Sequence, residues 1–187
     1  MDASAAVQPI VGVLAASPAL LAEAEAAIAA AVAPVALASA PQRWTLSTYY
    51  AGEMGSELWR QYLACDARMA PEDLGELKRL TGELEMRWRG PRGRAVNLDP
   101  GYLDLLRVVL ASTKDAAHRV AIGPGLWAEA TLHFVDGSFA PWPYTYPDYA
   151  SPGACAFFTE VRERLRMLKG SAGDGTRRWR RGETPSG

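Results

Sequence analysis

The chain has few of the residues from which the commonest reactive sites are built. Among 187 residues there are two cysteines and two histidines. Cys65 and Cys155 lie far apart and form no C-x-x-C, which argues against a disulfide framework and against a thiolate metal site. Reduced thiols in a cytosolic protein are expected instead. His118 and His133 make neither H-x-H nor H-E-x-x-H, so no metal is expected. Charge of neither sign predominates: the net charge is −1 and the pI about 6.1. That balance gives no global attraction to nucleic acid or to an anionic membrane. The apolar start lacks a basic segment and is soon interrupted by Glu23 and Glu25, so neither signal peptide nor membrane span is expected. A G-x-x-x-x-G-K-[ST] loop and a nucleophile elbow are also missing. A soluble, cytoplasmic protein with no membrane or nucleic-acid partner is the expectation.

Apolar material, in contrast, is plentiful. Hydrophobic residues make up 49%, enough for a core, and the length suits one domain. The expected organisation is a loose leader over 1–8, one domain over 9–169 and a disordered basic tail over 170–187, which carries Arg177 to Arg181 around Trp179.

Pro9 to Ala15 reads as a buried central strand. Ser17-Pro18 starts a helix, because serine caps and proline at the first helical position has no N–H to lose. Its apolar face is Leu20, Leu21, Ala24, Ile28 and Val32, and Pro34 ends it. Val35 to Leu37, Trp44 to Thr48, or both, form the next strand. Tyr49 to Gly55 reads as a loop. Ser56 caps a short helix reaching Cys65. Pro71 opens a longer one to Trp88, with Leu74, Leu77, Thr81, Leu84 and Trp88 on one stripe.

Arg89 to Arg94 is a basic loop, read mainly as solvated surface. Ala95 to Leu98 is a strand, and Asp99-Pro100-Gly101 a turn. Leu103 to Ala111 leans towards a turn followed by a strand. From Arg119 the pattern is an antiparallel meander: a strand to Ile122, a turn at Gly123-Pro124-Gly125, a long strand to Phe134, and the hairpin signal Asp136-Gly137. Three prolines exclude helix from Trp142 to Tyr149, leaving an ordered aromatic loop. Ser151-Pro152 starts a last helix to Lys169. The fold class is α+β: a single domain with a mixed or mostly antiparallel sheet and helices packed on one face.

Several segments together resemble one family. They are Tyr49-Tyr50-x-x-Glu53-Met54-Gly55, Asn97 to Tyr102, Ser112 to Asp115, His118-Arg119, and Trp142 to Tyr149. In that order they resemble a bacterial family known as domain of unknown function 4416, over about residues 9 to 169. The resemblance implies membership and no particular activity. A GTP-binding label given to some members finds no support here. In Thr113-Lys114-Asp115 the acid follows the lysine directly, whereas the guanine-reading motif needs one residue between them.

The candidate site centres on Val96 to Glu129. Asn97 and Asp99 share one face of a strand, close to a break in regular structure. Lys114, Asp115, His118 and Arg119 form a polar corner: lysine and arginine suit phosphate or carboxylate, and histidine titrates near neutrality. Glu129 is a lone carboxylate in mid-strand, which calls for a cationic partner or a solvated cleft. Candidate acid–base groups are His118, Asp99, Asp115 and Glu129. Candidate ligand contacts are Asn97, Tyr102, Lys114, Arg119, Tyr146 and Asp148. The sequence names no cofactor. The expected ligand is a small anionic metabolite, phosphorylated or nucleotide-like, held with or without turnover. The alternative is an interaction or assembly factor that uses the aromatic loop 142–149 as its contact surface.

Overall fold

The computed structural model describes residues 6–46, 51–91, 93–170 and 178–179. In chain order it contains β1 (Gln8–Ala15), α1 (Pro18–Ala31), β2 (Val35–Ala38), β3 (Gln42–Trp44), α2 (Ala51–Met54), β4 (Leu58–Cys65) and α3 (Leu74–Glu85). There follow the small pair β5 (Arg89–Gly90) and β6 (Gly93–Arg94), then β7 (Val96–Leu103), β8 (Arg107–Ser112), β9 (Val120–Gly123), β10 (Leu126–Val135), β11 (Ser138–Pro141) and α4 (Pro152–Gly170). Single turns of 3-10 helix, Pro71–Asp73 and Met86–Trp88, flank α3.

Nine strands form one sheet in the order β11-β10-β8-β7-β1-β4-β2, with β3 on β4 and β9 on β10. Its strand pairs are antiparallel. This is the α+β single domain that the sequence predicts. β1 lies between β7 and β4 and is buried along its whole length, as its unbroken apolar run requires. On one face, Val11, Val13 and Ala15 of β1 join Leu63 and Leu98 in a core closed by Leu21 and Ile28 of α1 and Leu77 and Leu84 of α3. The opposite face carries Ile10, Tyr62, Leu103, Val108 and Leu132, packed against Phe158, Val161 and Leu165 of α4. The expectation of helices on one face therefore holds for α1 and α3 only. The apolar stripe of α4 needs cover of its own and finds it on the other side of the sheet.

Local chemistry accounts for the elements that were legible. The Ser17 hydroxyl accepts the Leu20 N–H at 3.2 Å, and Ser151 accepts that of Ala154 at 3.2 Å. Asp136 and Gly137 take φ of 49° and 85°, the left-handed pair that a two-residue hairpin with the right-handed strand twist requires.

Six expectations are corrected. The leader is not loose up to residue 8, since Val7 is buried and bonded to Met69 and Gln8 opens β1. Tyr49 to Gly55 is not all loop, since Ala51–Met54 is α2. Leu58 to Cys65 is strand β4, not a helix. It lies between β1 and the β2/β3 strands with both faces covered, so burial of neighbouring residues mimics a helical stripe. Asp99-Pro100-Gly101 is no turn but the middle of β7, opposite Val11 and its neighbours on β1. Arg89 to Arg94 forms the β5–β6 hairpin rather than an open loop. In the expected disordered tail, Trp179 is 3% exposed in the α1/α3 core, and its N–H bonds the Arg68 carbonyl at 2.6 Å. The Tyr49-Tyr50 pair, most of the leader and the rest of the tail lie outside the described residues.

β7 and β8 pair only from Gly101↔Leu110 to Leu103↔Val108. At the start of that pairing the strands crowd: a Cβ on Gly101 would lie 2.2 Å from the Val109 carbonyl oxygen. Gly101→Ala is expected to lower stability by about 1–3 kcal/mol, the usual cost of overpacking, read as a lower urea midpoint at unchanged m-value.

Candidate functional site

α4 covers only part of its face. The strand registers carry the same row further along the sheet as Gly12 and Leu14 of β1, Arg60 of β4, and Asp99 and Asn97 of β7. Glu129 of β10 lies opposite Leu110, which lies opposite Gly101, so it belongs to this face too. Here the apolar packing gives way to charge.

Arg60 is the most buried cation of this region, at 6% exposure. One guanidinium nitrogen donates to Asp99 Oδ2 at 2.9 Å and the other to Asp148 Oδ2. Asn97 donates to the second Asp99 oxygen at 2.9 Å. The guanidinium also lies 5.5 Å from the Trp44 ring centroid and 5.4 Å from that of Tyr149. Burial works against the charge on Arg60, but Asp148 and Asp99 outweigh it and hold the group protonated. Burial would likewise raise Asp99; the Arg60 and Lys78 charges and the bonds from Arg60 and Asn97 outweigh it, and the carboxyl stays below its ordinary value. Tyr149 lies over Gly12, where a Cβ would stand 2.1 Å from the phenol oxygen. Burial, with Asp99 close by, pushes that phenol well above its ordinary value.

Towards Val96, β7 runs on along β1 but has left β8. The backbone of Leu98 thus lacks a strand partner on that side, and α3 supplies one. The Leu98 N–H donates to Glu85 at 2.6 Å, and Lys78 donates to the Leu98 carbonyl at 3.2 Å. Pro100, two residues on, turns the same edge outward, where its missing N–H costs nothing. The gap between the diverging strands is a cavity of about 440 Å³.

Across the gap, Glu129 is 4% exposed and fully engaged. It accepts from Arg119 Nε at 2.7 Å and Thr131 at 3.1 Å, and His118 Nε2 lies 3.1 Å away. Arg119 also donates to Ser112 Oγ at 2.9 Å and to the Lys114 carbonyl at 2.8 Å, which fixes the loop after β8. His118 is stacked on Tyr144 at 4.3 Å. The aromatic loop closes the outer edge of β10 between β9 and β11: the Tyr144 hydroxyl donates to the Ala130 carbonyl at 2.9 Å and Thr145 to that of Thr131 at 2.6 Å.

The cavity brings together Asn97, Asp99, Lys114, Arg119, Glu129, Tyr146 and Asp148 from among the sequence candidates. His118 stands behind Glu129 rather than in the wall. Asp115 is exposed and outside it, and the carboxylate beside His118 is that of Glu129. Tyr102 faces the other way, packed against the α1/α3 core, because it pairs with Val109 one step out of phase with Gly101. Sequence reasoning missed Arg60, Lys78, Arg94 and Trp44, all in the wall. The signal for Arg60 was the aromatic content and eight-residue length of its segment, which suit a strand. The signal for Lys78 was its being the one lysine on a helix otherwise read only for its apolar stripe. Among the described residues no group of three or more His, Cys, Asp or Glu is placed to hold a metal ion. No helix among them is long and apolar enough to cross a membrane.

The family described as domain of unknown function (DUF4416) matches residues 5–165. The chain belongs to this family. No curated protein and no solved structure matches it. The DUF4416 match takes in every cavity residue named above, from Trp44 to Tyr149.

The Arg60 cluster predicts an acid dependence. A carboxyl whose folded value is depressed contributes stability above its unfolded value, near 3.9, and that contribution is lost as pH falls through the folded value. Asp99→Asn is therefore expected to cost about 1–3 kcal/mol at neutral pH. The gap to the parent protein should narrow below about pH 4 in denaturant titrations run at several pH values.

Proposed function

We propose that the protein binds a small anionic metabolite, phosphorylated or nucleotide-like, in the cavity between β7 and β8. The observation that carries this is the composition of the wall: five cationic side chains, Arg60, Lys78, Arg94, Lys114 and Arg119, against three carboxylates, Asp99, Glu129 and Asp148. A volume of about 440 Å³ falls in the range of small-molecule sites. Lysine serves such ligands as a point charge, and a low-dielectric recess strengthens it. Asp99, kept ionised by Arg60, and Glu129 are the candidate acid–base groups that line the cavity. His118 reaches the cavity only through Glu129, so binding is better supported than catalysis by His118. The aromatic loop supports the interaction alternative less well. Two of its rings, Trp142 and Tyr144, are stacked on His133 and His118.

A thermal-shift panel of nucleotides, sugar phosphates and other organic anions checks the proposal. A ligand at a hundred times its dissociation constant should stabilise the protein by about 2.7 kcal/mol, a rise of several degrees. Lys114→Ala should reduce the shift. No shift with any member of the panel would contradict the proposal.

A further inference from the structure

The cavity wall is divided by chemistry. On the α3 side stands Lys78, whose ammonium donates to the Leu98 carbonyl and makes no ion pair among the described residues. Its charge acts on Asp99 and on Glu85, but neither takes a hydrogen bond from it. Lys114 lines the cavity from the loop after β8, on the other strand of the divergence.

The Arg60 side is rich in acceptors that are only partly used. Asp148 is 4% exposed, and its Oδ1 has no hydrogen-bond partner among the described residues. The Tyr149 hydroxyl, on a side chain 2% exposed, has none either. Each Asp99 oxygen takes one donor, Arg60 or Asn97, although a carboxylate accommodates about four. An unmatched buried polar atom is destabilising. A bare anion would meet the lysines and leave these atoms as they are. An apolar acid would place hydrocarbon against them. A ligand that carries hydroxyl groups close to its anionic end meets both sides, because each hydroxyl donates to a carboxylate and accepts from a phenol.

We infer that the cavity selects a phosphate ester bearing free hydroxyls, with its phosphate at Lys78 and Lys114 and its hydroxyls towards Asp148, Asp99 and Tyr149. This rests on the anion-binding proposal and narrows it. A phosphorylated sugar and the ribose phosphate of a nucleotide share this chemistry. Lys78 is then a ligand-binding residue, and its bond to Leu98 holds it in place.

Calorimetric titration of the full chain with ribose 5-phosphate, glycerol 3-phosphate, methyl phosphate, inorganic phosphate and ribose tests the inference. The two hydroxylated esters should bind at least about tenfold more tightly than methyl phosphate or inorganic phosphate, and ribose alone should not bind measurably. Lys78→Gln keeps a donor for the Leu98 carbonyl and removes the charge. It should stay folded by circular dichroism and lose about tenfold in affinity for ribose 5-phosphate. Adenosine 5′-monophosphate, run in parallel, assigns the class to nucleotides if it binds more tightly than ribose 5-phosphate and to sugar phosphates if it binds less tightly. Methyl phosphate binding as tightly as the hydroxylated esters would overturn the inference and leave the anion site standing. Failure of every phosphate to bind would overturn both.

Discussion

A guanidinium buried on one face of a sheet sets the terms for the rest of this structure. Arg60 projects from a strand whose other residues are largely apolar, and removing its charge from water is costly unless partners surround it. Asp99 comes from the neighbouring row on β7, two strands away across Gly12. Asp148 comes from the loop before α4. The cation therefore joins the sheet to the loop that leads into α4. Gly12 is bare because Tyr149 and Arg60 occupy the space above it. Where α4 ends its cover, this cluster begins, and the change from apolar to polar marks the site.

The second constraint is the parting of β7 from β8. A strand that leaves its neighbour exposes backbone groups that must be matched. At Leu98 they are matched by Glu85 and Lys78 from the helix behind the sheet, so both backbone groups of that residue are satisfied while the gap stays open. Burial raises the Glu85 carboxyl above its ordinary value, against the Leu98 N–H and the Lys78 and Arg94 charges. Side chains from both faces of the sheet thus meet in one recess. The loop after β8 is held to the far wall through Arg119, Ser112 and Glu129.

Much of this was legible in the residues. Ser17-Pro18, Ser151-Pro152 and Asp136-Gly137 carry their own geometry, and the structure uses each as that geometry dictates. The concentration of polar candidates between Asn97 and Glu129 also reflects a real neighbourhood, since both ends of the stretch line the same cavity. Two features were hidden by competing signals. β4 lost its alternation because both its faces are covered, and a pattern of buried neighbours at helical spacing took its place. Pro100-Gly101 read as a turn because proline and glycine punctuate most chains. Here they serve the divergence instead, proline where no donor is needed and glycine where β8 comes closest. The positions of Arg60 and Lys78 in the wall follow from tertiary packing; the strand character of one segment and the lone lysine of α3 were the only local signals, and neither announces a role.

The most direct test of the account is an amide NMR titration of the protein with inorganic phosphate. If the divergence between β7 and β8 is an anion site, the largest shifts will be at Leu98 and at Ser112, Thr113 and Lys114, the backbone on its two sides. No shift, or shifts centred on α4 and the β10–β11 hairpin at Asp136 and Gly137, away from the cavity, would contradict it.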